Sequence, residues 1–165
     1  MIARFTLDRL YRSAKVGVAG VVALAVAHWF RLPQAYWAAI SAFVVMAGDV
    51  AATVRASRNR LFGTAIGAVT GAVFSYFCGG NWWSFGLAAT ATVLLCSLLN
   101  LEQSYRLACV TVAIVMLIQG VGSPWLIALH RFLEVALGIM VALGISALPP
   151  RESGSKAQVA PSSHG

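Results

Sequence analysis

From Leu61 through Leu101 the chain runs for 41 residues without one charged side chain. A water-soluble domain carries about one charged residue in four, so no soluble fold tolerates such a gap. A helix crosses the hydrocarbon core in about 20 residues, which makes this stretch long enough for two passes and too long for one. Gly79-Gly80-Asn81 is the natural turn, and Trp82-Trp83 follows it, indole rings being favoured at headgroup level. The stretch therefore predicts a third span over Leu61–Cys78 and a fourth over Trp82–Leu99.

The rest of the chain repeats the pattern. A first span runs from Ala14 to Phe30, Arg31-Leu32-Pro33-Gln34 turns the chain, and a second span runs from Tyr36 to Val54. Asn100 to Arg106 is a polar turn, the fifth span covers Leu107–Val121, Gly122-Ser123-Pro124 turns again, and the sixth runs from Trp125 to Leu148 before Pro149-Pro150. The expected fold is thus all-α, a polytopic membrane protein with six transmembrane helices. Residues 1–12 form an amphipathic cytoplasmic segment, 13–148 the six-helix integral membrane domain, and 149–165 a disordered tail. Only 10% of the 165 residues are charged and 59% are hydrophobic, which leaves nothing from which to build a soluble domain.

The net charge of +7 would raise nucleic acid as a partner in a soluble protein. Here the cations sit in short groups beside apolar runs. Arg4, Arg9, Arg12 and Lys15, then Arg55, Arg58 and Arg60, then Arg106, then Arg151 and Lys156 all fall on one side, ten of the twelve Lys and Arg. By the positive-inside rule both termini are cytoplasmic, the expected partner is membrane lipid, and nucleic acid is excluded. Ala25-Val26-Ala27 after a basic, then apolar, stretch also imitates a signal-peptide cleavage site. Cleavage there would leave five other spans, so the membrane reading stands either way.

Polar groups inside spans are costly and mark function. Arg131 and Glu134 lie roughly 9 and 13 Å beyond Trp125 along the sixth span, at about 1.5 Å per residue. Their i,i+3 spacing allows a pair. Burial toward the bundle interior is the favoured placement; the other has the helix enter the membrane later, with Arg131 reaching the headgroups. Asp49, near the end of the second span, is a second candidate, either for a proton or substrate role or for an ion pair with Arg55 or Arg58. Gly63, Gly67 and Gly71 form a stripe on one face of the third span that lets another helix approach closely; Gly138 offers a further small site in the sixth. Cys78, Cys96 and Cys109 form no CxxC and read as small apolar residues. No catalytic constellation, metal site or phosphate loop is present in the sequence, so neither an enzyme nor a cofactor is expected.

Three elements occur in order. Tyr36-Trp37-Ala38-Ala39-Ile40-Ser41-Ala42 opens the second span, Arg60-Leu61-Phe62-Gly63-Thr64-Ala65-Ile66-Gly67 opens the third, and Arg131-Phe132-Leu133-Glu134-Val135-Ala136-Leu137-Gly138 lies in the sixth. Over residues 10–148 this resembles the integral membrane transporter domain of the FUSC family, which includes fusaric acid resistance proteins and aromatic acid exporters. The resemblance implies efflux of small organic anions, mainly aromatic carboxylates, across the bacterial inner membrane. It marks Trp37, Arg60, Gly63, Thr64, Gly67, Arg131, Glu134 and Gly138 as family-type positions. The expected transport path then involves Arg131 at the substrate carboxylate, Glu134 positioning it, Arg60 at the cytoplasmic mouth, and Asp49 and Trp37 nearby. Many members of that family repeat the six-helix unit or add a cytoplasmic domain. One unit alone implies a homodimer or a separately encoded partner subunit. The rival expectation is a membrane subunit that transports nothing and packs against a larger complex.

Overall fold

The computed structural model describes residues 2–47, 49–117 and 123–148, with side chains from Leu10 onward. The expected tail over 151–165, the Pro149-Pro150 stop and the end of the fifth span lie outside the described residues. Six helices form in order: α1 (Ile2–Trp29), α2 (Tyr36–Val45), α3 (Val50–Cys78), α4 (Trp82–Leu98), α5 (Tyr105–Leu117) and α6 (Pro124–Ser146). There is no strand among the described residues. α1, α3 and α6 are each long and apolar enough to cross a membrane; α2, α4 and α5 are apolar but shorter.

Two helix ends show how the turns are set. The Leu32 amide donates to the Ala27 carbonyl at 3.1 Å and the Arg31 amide to that of His28 at 2.9 Å. The same pair of bonds closes α4, from Leu101 to Cys96 at 2.8 Å and from Asn100 to Ser97 at 3.0 Å. Both ends are Schellman motifs, which require a left-handed residue, and Arg31 (φ 53°) and Asn100 (φ 55°) supply it.

Each helix runs against its sequence neighbour. α1 ends close to the start of α2, and at the other end of the bundle the Lys15 ammonium donates to the Leu148 carbonyl at 2.8 Å. The closest crossings join helices that run the same way. Gly63, Gly67 and Gly71 of α3 meet, in turn, Ser104–Ala108, Ala108–Thr111 and Val112–Val115 of α5. Gly138 of α6 meets Ala38 and Ser41 of α2. Glycine is needed there because the partner's backbone lies where a Cβ would stand. A core of alanines and small aliphatics, including Ala19, Ala23, Ala38, Ala42, Val45 and Val135, joins α1, α2 and α6. Large side chains such as Leu24, Phe43, Val69, Leu94 and Met140 point outward. This inversion of a soluble core suits a hydrocarbon solvent, in which small residues make the helix contacts.

The structure corrects three expectations. The second span is not one helix to Val54: α2 stops at Val45, and α3 begins at Val50 rather than Leu61. Asp49 is therefore not within the second helix but is the N-cap of α3, its carboxylate accepting the Ala52 amide at 2.6 Å, and it pairs with neither Arg55 nor Arg58. The Thr53 hydroxyl donates to the Asp49 carbonyl at 2.8 Å and accepts the Ala47 amide at 3.1 Å, satisfying backbone that the helix break would strand. Third, Arg55, Arg58 and Arg60 do not form a loop. All lie within α3, Arg55 and Arg58 exposed and Arg60 only 5% exposed. Asp49→Ala is expected to lower stability by about 1 kcal/mol, while Asp49→Asn, which keeps the cap and drops the charge, stays near wild type. Thermal unfolding in detergent checks both.

Candidate functional site

Ordered turns at the start of α2 and the first two turns of α6 build one polar cluster. Arg131 sits two turns into α6, and Glu134 follows on the same face, so that both point toward α2. The Arg131 Nη1 donates to the Glu134 carboxylate at 3.0 Å. The other carboxylate oxygen accepts the Gln34 backbone amide at 3.0 Å. Arg131 Nη2 donates to the Gln34 side-chain carbonyl, which also accepts Tyr36 Oη at 2.9 Å and Trp37 Nε1 at 3.2 Å. The guanidinium lies 4.7 Å from the centroid of the Trp37 ring. Arg131 and Glu134 are 3% and 1% exposed, so both are buried within the bundle. Gln34, read in the sequence only as part of a turn, is the hub of the cluster. Its neighbours Tyr36 and Trp37 do not mark it, because its charged partners lie about a hundred residues away in the chain.

A second buried cation stands apart from this cluster. Arg60 occupies the junction of α2 and α3, where its Nη2 lies 3.5 Å from Ser41 Oγ, a long and weak hydrogen bond. Its Nε has no partner. Ser57 and Thr64, at i−3 and i+4 on the same face of α3, carry buried hydroxyls that also lack partners. Ser41 in turn abuts Gly138, so the junction includes α6. No carboxylate lies within ion-pairing distance of Arg60 among the described residues. Of the acidic residues whose side chains are described, Asp49 caps α3, Glu134 serves Arg131 and Glu102 is exposed.

Other polar groups serve structure. Thr70 and Thr92 share a 2.8 Å hydrogen bond between α3 and α4. Asn59 donates to Gln103 at 3.0 Å, tying α3 to the exposed turn before α5. An apolar hollow of about 330 Å³ opens between α3 and α6, lined by Ala65, Ala68, Val69, Trp125, Leu129 and Phe132. Cys96 is buried and Cys78 exposed, and no disulfide joins the three cysteines.

Long apolar helices, small-residue crossings and charges held away from solvent are the features of a multi-pass membrane protein. The chain belongs to the aromatic acid exporter family, whose description "Aromatic acid exporter family member 1" matches residues 9–147. It is 29% identical over 147 residues to the uncharacterized transporter YdhK of Escherichia coli (strain K12), covering 83% of this chain and 22% of that protein. It is 28% identical over 143 residues to UPF0421 protein YgaE of Bacillus subtilis (strain 168), covering 85% of this chain and 40% of that one. The chain thus spans well under half the length of these relatives. No solved structure matches it significantly. The family description names an exporter and the first of these relatives a transporter.

Proposed function

We propose that the chain is an efflux subunit for small organic anions, aromatic carboxylates among them, in a bacterial inner membrane. All six helices span, and both termini face the cytoplasm. The observation that carries this is the charge of the bundle interior: two buried arginines and, among the described residues, one buried carboxylate. An interior with an unbalanced cation favours an anion as its visitor. The family description names acids as cargo, which fits. The topology draws on the reversal of direction at every turn and on the basic residues gathered at one end. α2 covers only about 15 Å as a helix. The residues after it extend its reach, and Thr53 supplies the polar partner that irregular backbone needs inside a membrane. The exposed apolar faces are covered by lipid and by a second copy or a separately encoded subunit, with the path at or near that contact.

The test is tolerance to a panel of aromatic carboxylic acids in cells that lack their own exporters, with protein levels in the membrane matched to an inert control. Protection by the wild type is the expected result. Full insertion with no protection against any acid would instead favour the subunit that packs against a larger complex and transports nothing.

A further inference from the structure

Two arginines are buried in this bundle, and their surroundings differ in kind. Arg131 has a carboxylate, an amide carbonyl and an indole face. Its charge is cancelled and both terminal nitrogens are bonded, while its Nε, like that of Arg60, has no partner. Arg60 has one long contact to a serine hydroxyl. A cation withdrawn from water without a counter-charge is strongly disfavoured, and each unpaired buried hydroxyl adds to that cost. Within a lipid-facing bundle no bulk water relieves that cost.

The free part of Arg60 has a definite shape. Nε carries no bond and Nη2 only the 3.5 Å contact to Ser41. These two nitrogens form the side edge of the guanidinium, whose parallel N–H vectors match the two oxygens of a carboxylate. Ser57 and Thr64 flank the arginine along α3, and Ser41 faces it from α2, all three offering hydroxyl donors. Ser41 lies on α2 and the other three residues on α3, so an occupant would touch both helices.

From this arrangement we infer that Arg60, with Ser41, Ser57 and Thr64, is the site that binds the carboxylate of the transported anion, and that Arg131 is not. The Arg131–Glu134 pair is instead a brace joining α6 to the turn before α2. The assignment to a transported anion rests on the transport reading; the anion site itself rests on the geometry.

The test uses the full chain in phosphatidylcholine nanodiscs, with benzoate as the probe. Binding is read by calorimetry and by the shift in melting temperature for wild type, Arg60→Gln and Arg60→Lys. Wild type is expected to bind saturably. Arg60→Gln should weaken benzoate by about tenfold or more, the worth of a charge-assisted hydrogen bond. It should melt no lower than wild type without benzoate, because the substitution removes an uncompensated charge. Arg60→Lys, which keeps the charge and loses the fork, should fall between. Equal benzoate affinity in wild type and Arg60→Gln overturns the site, as does absence of binding in the wild type. A large drop in melting temperature for Arg60→Gln, with affinity unchanged, makes Arg60 a packing residue. If phosphatidylglycerol in the nanodiscs displaces benzoate, the site belongs to a lipid headgroup and the transported-anion assignment falls. Arg60-dependent benzoate binding without acid tolerance in cells would sink the transport reading and keep the site; the reverse pattern would do the opposite.

Discussion

Gly67→Ala is expected to cost more stability than any other single methyl added to this bundle outside α6, on the order of 3 kcal/mol or more. A Cβ at Gly67 would overlap the Ala108 carbonyl oxygen and lie 2.9 Å from Thr111 Cβ. The first obstacle is backbone and cannot rotate away, so α3 and α5 must separate along their whole contact. Gly138→Ala meets the same obstacle at the Ala38 carbonyl, with Ser41 Cβ at 2.9 Å, and should act comparably on α2 and α6. Gly63→Ala, 2.7 Å from the Ser104 carbonyl oxygen, comes next. Gly71→Ala, whose closest neighbour is Val115 Cβ at 3.1 Å, should be the mildest of the four. Gly17 and Gly86 have open space around them and serve as controls. Melting temperatures in one detergent rank the set. A Gly71 variant that falls below Gly67→Ala would contradict the contact geometry.

The second large effect is expected at Glu134. Glu134→Ala leaves the Arg131 charge buried against Gln34 and Trp37 alone and strips the Gln34 amide of its acceptor, a loss of about 3–5 kcal/mol. Arg131→Ala strands the carboxylate instead and should cost a similar amount. The Arg131→Met, Glu134→Leu double variant removes both charges and fills the volume, so it should recover much of the loss, short of the bond to Gln34. A double-mutant cycle on thermal stability then gives a strongly favourable coupling. Additive losses would mean that the two side chains do not act as a pair.

The sequence carried some of these features openly and hid others for physical reasons. A glycine every four residues can form one helix face, and the stripe at Gly63, Gly67 and Gly71 is where α5 packs. The i,i+3 spacing of Arg131 and Glu134 announced their pairing, but Gln34, which binds both, could not be found by local spacing. Hydropathy averages across the break before α3 and hides it. The Gly48-Asp49 dipeptide ahead of Val-Ala-Ala, a helix-start pattern inside an apolar run, is the better signal. The burial of Arg60 within α3 is hidden in the same way. Three arginines after an apolar stretch look like a cytoplasmic loop, yet charge says only which end of a helix meets water, and a helix continues through it. The expected surface helix at the N-terminus likewise proved continuous with the first span, as α1.

The parallel crossings also set an order in time. Each of the tight contacts skips at least one helix along the chain, and α6 packs on α1, α2, α3 and α5. While the chain emerges from the ribosome, α2 therefore enters the membrane well before its partner has been translated. Until α6 arrives, the Gln34 turn has neither the cation nor the carboxylate it will hold, and the small faces of α1 and α2 meet only each other and lipid. The bundle can close only when α6 is made, so until then the earlier helices stand as inserted but unassembled hairpins, the period in which membrane quality control would act on them.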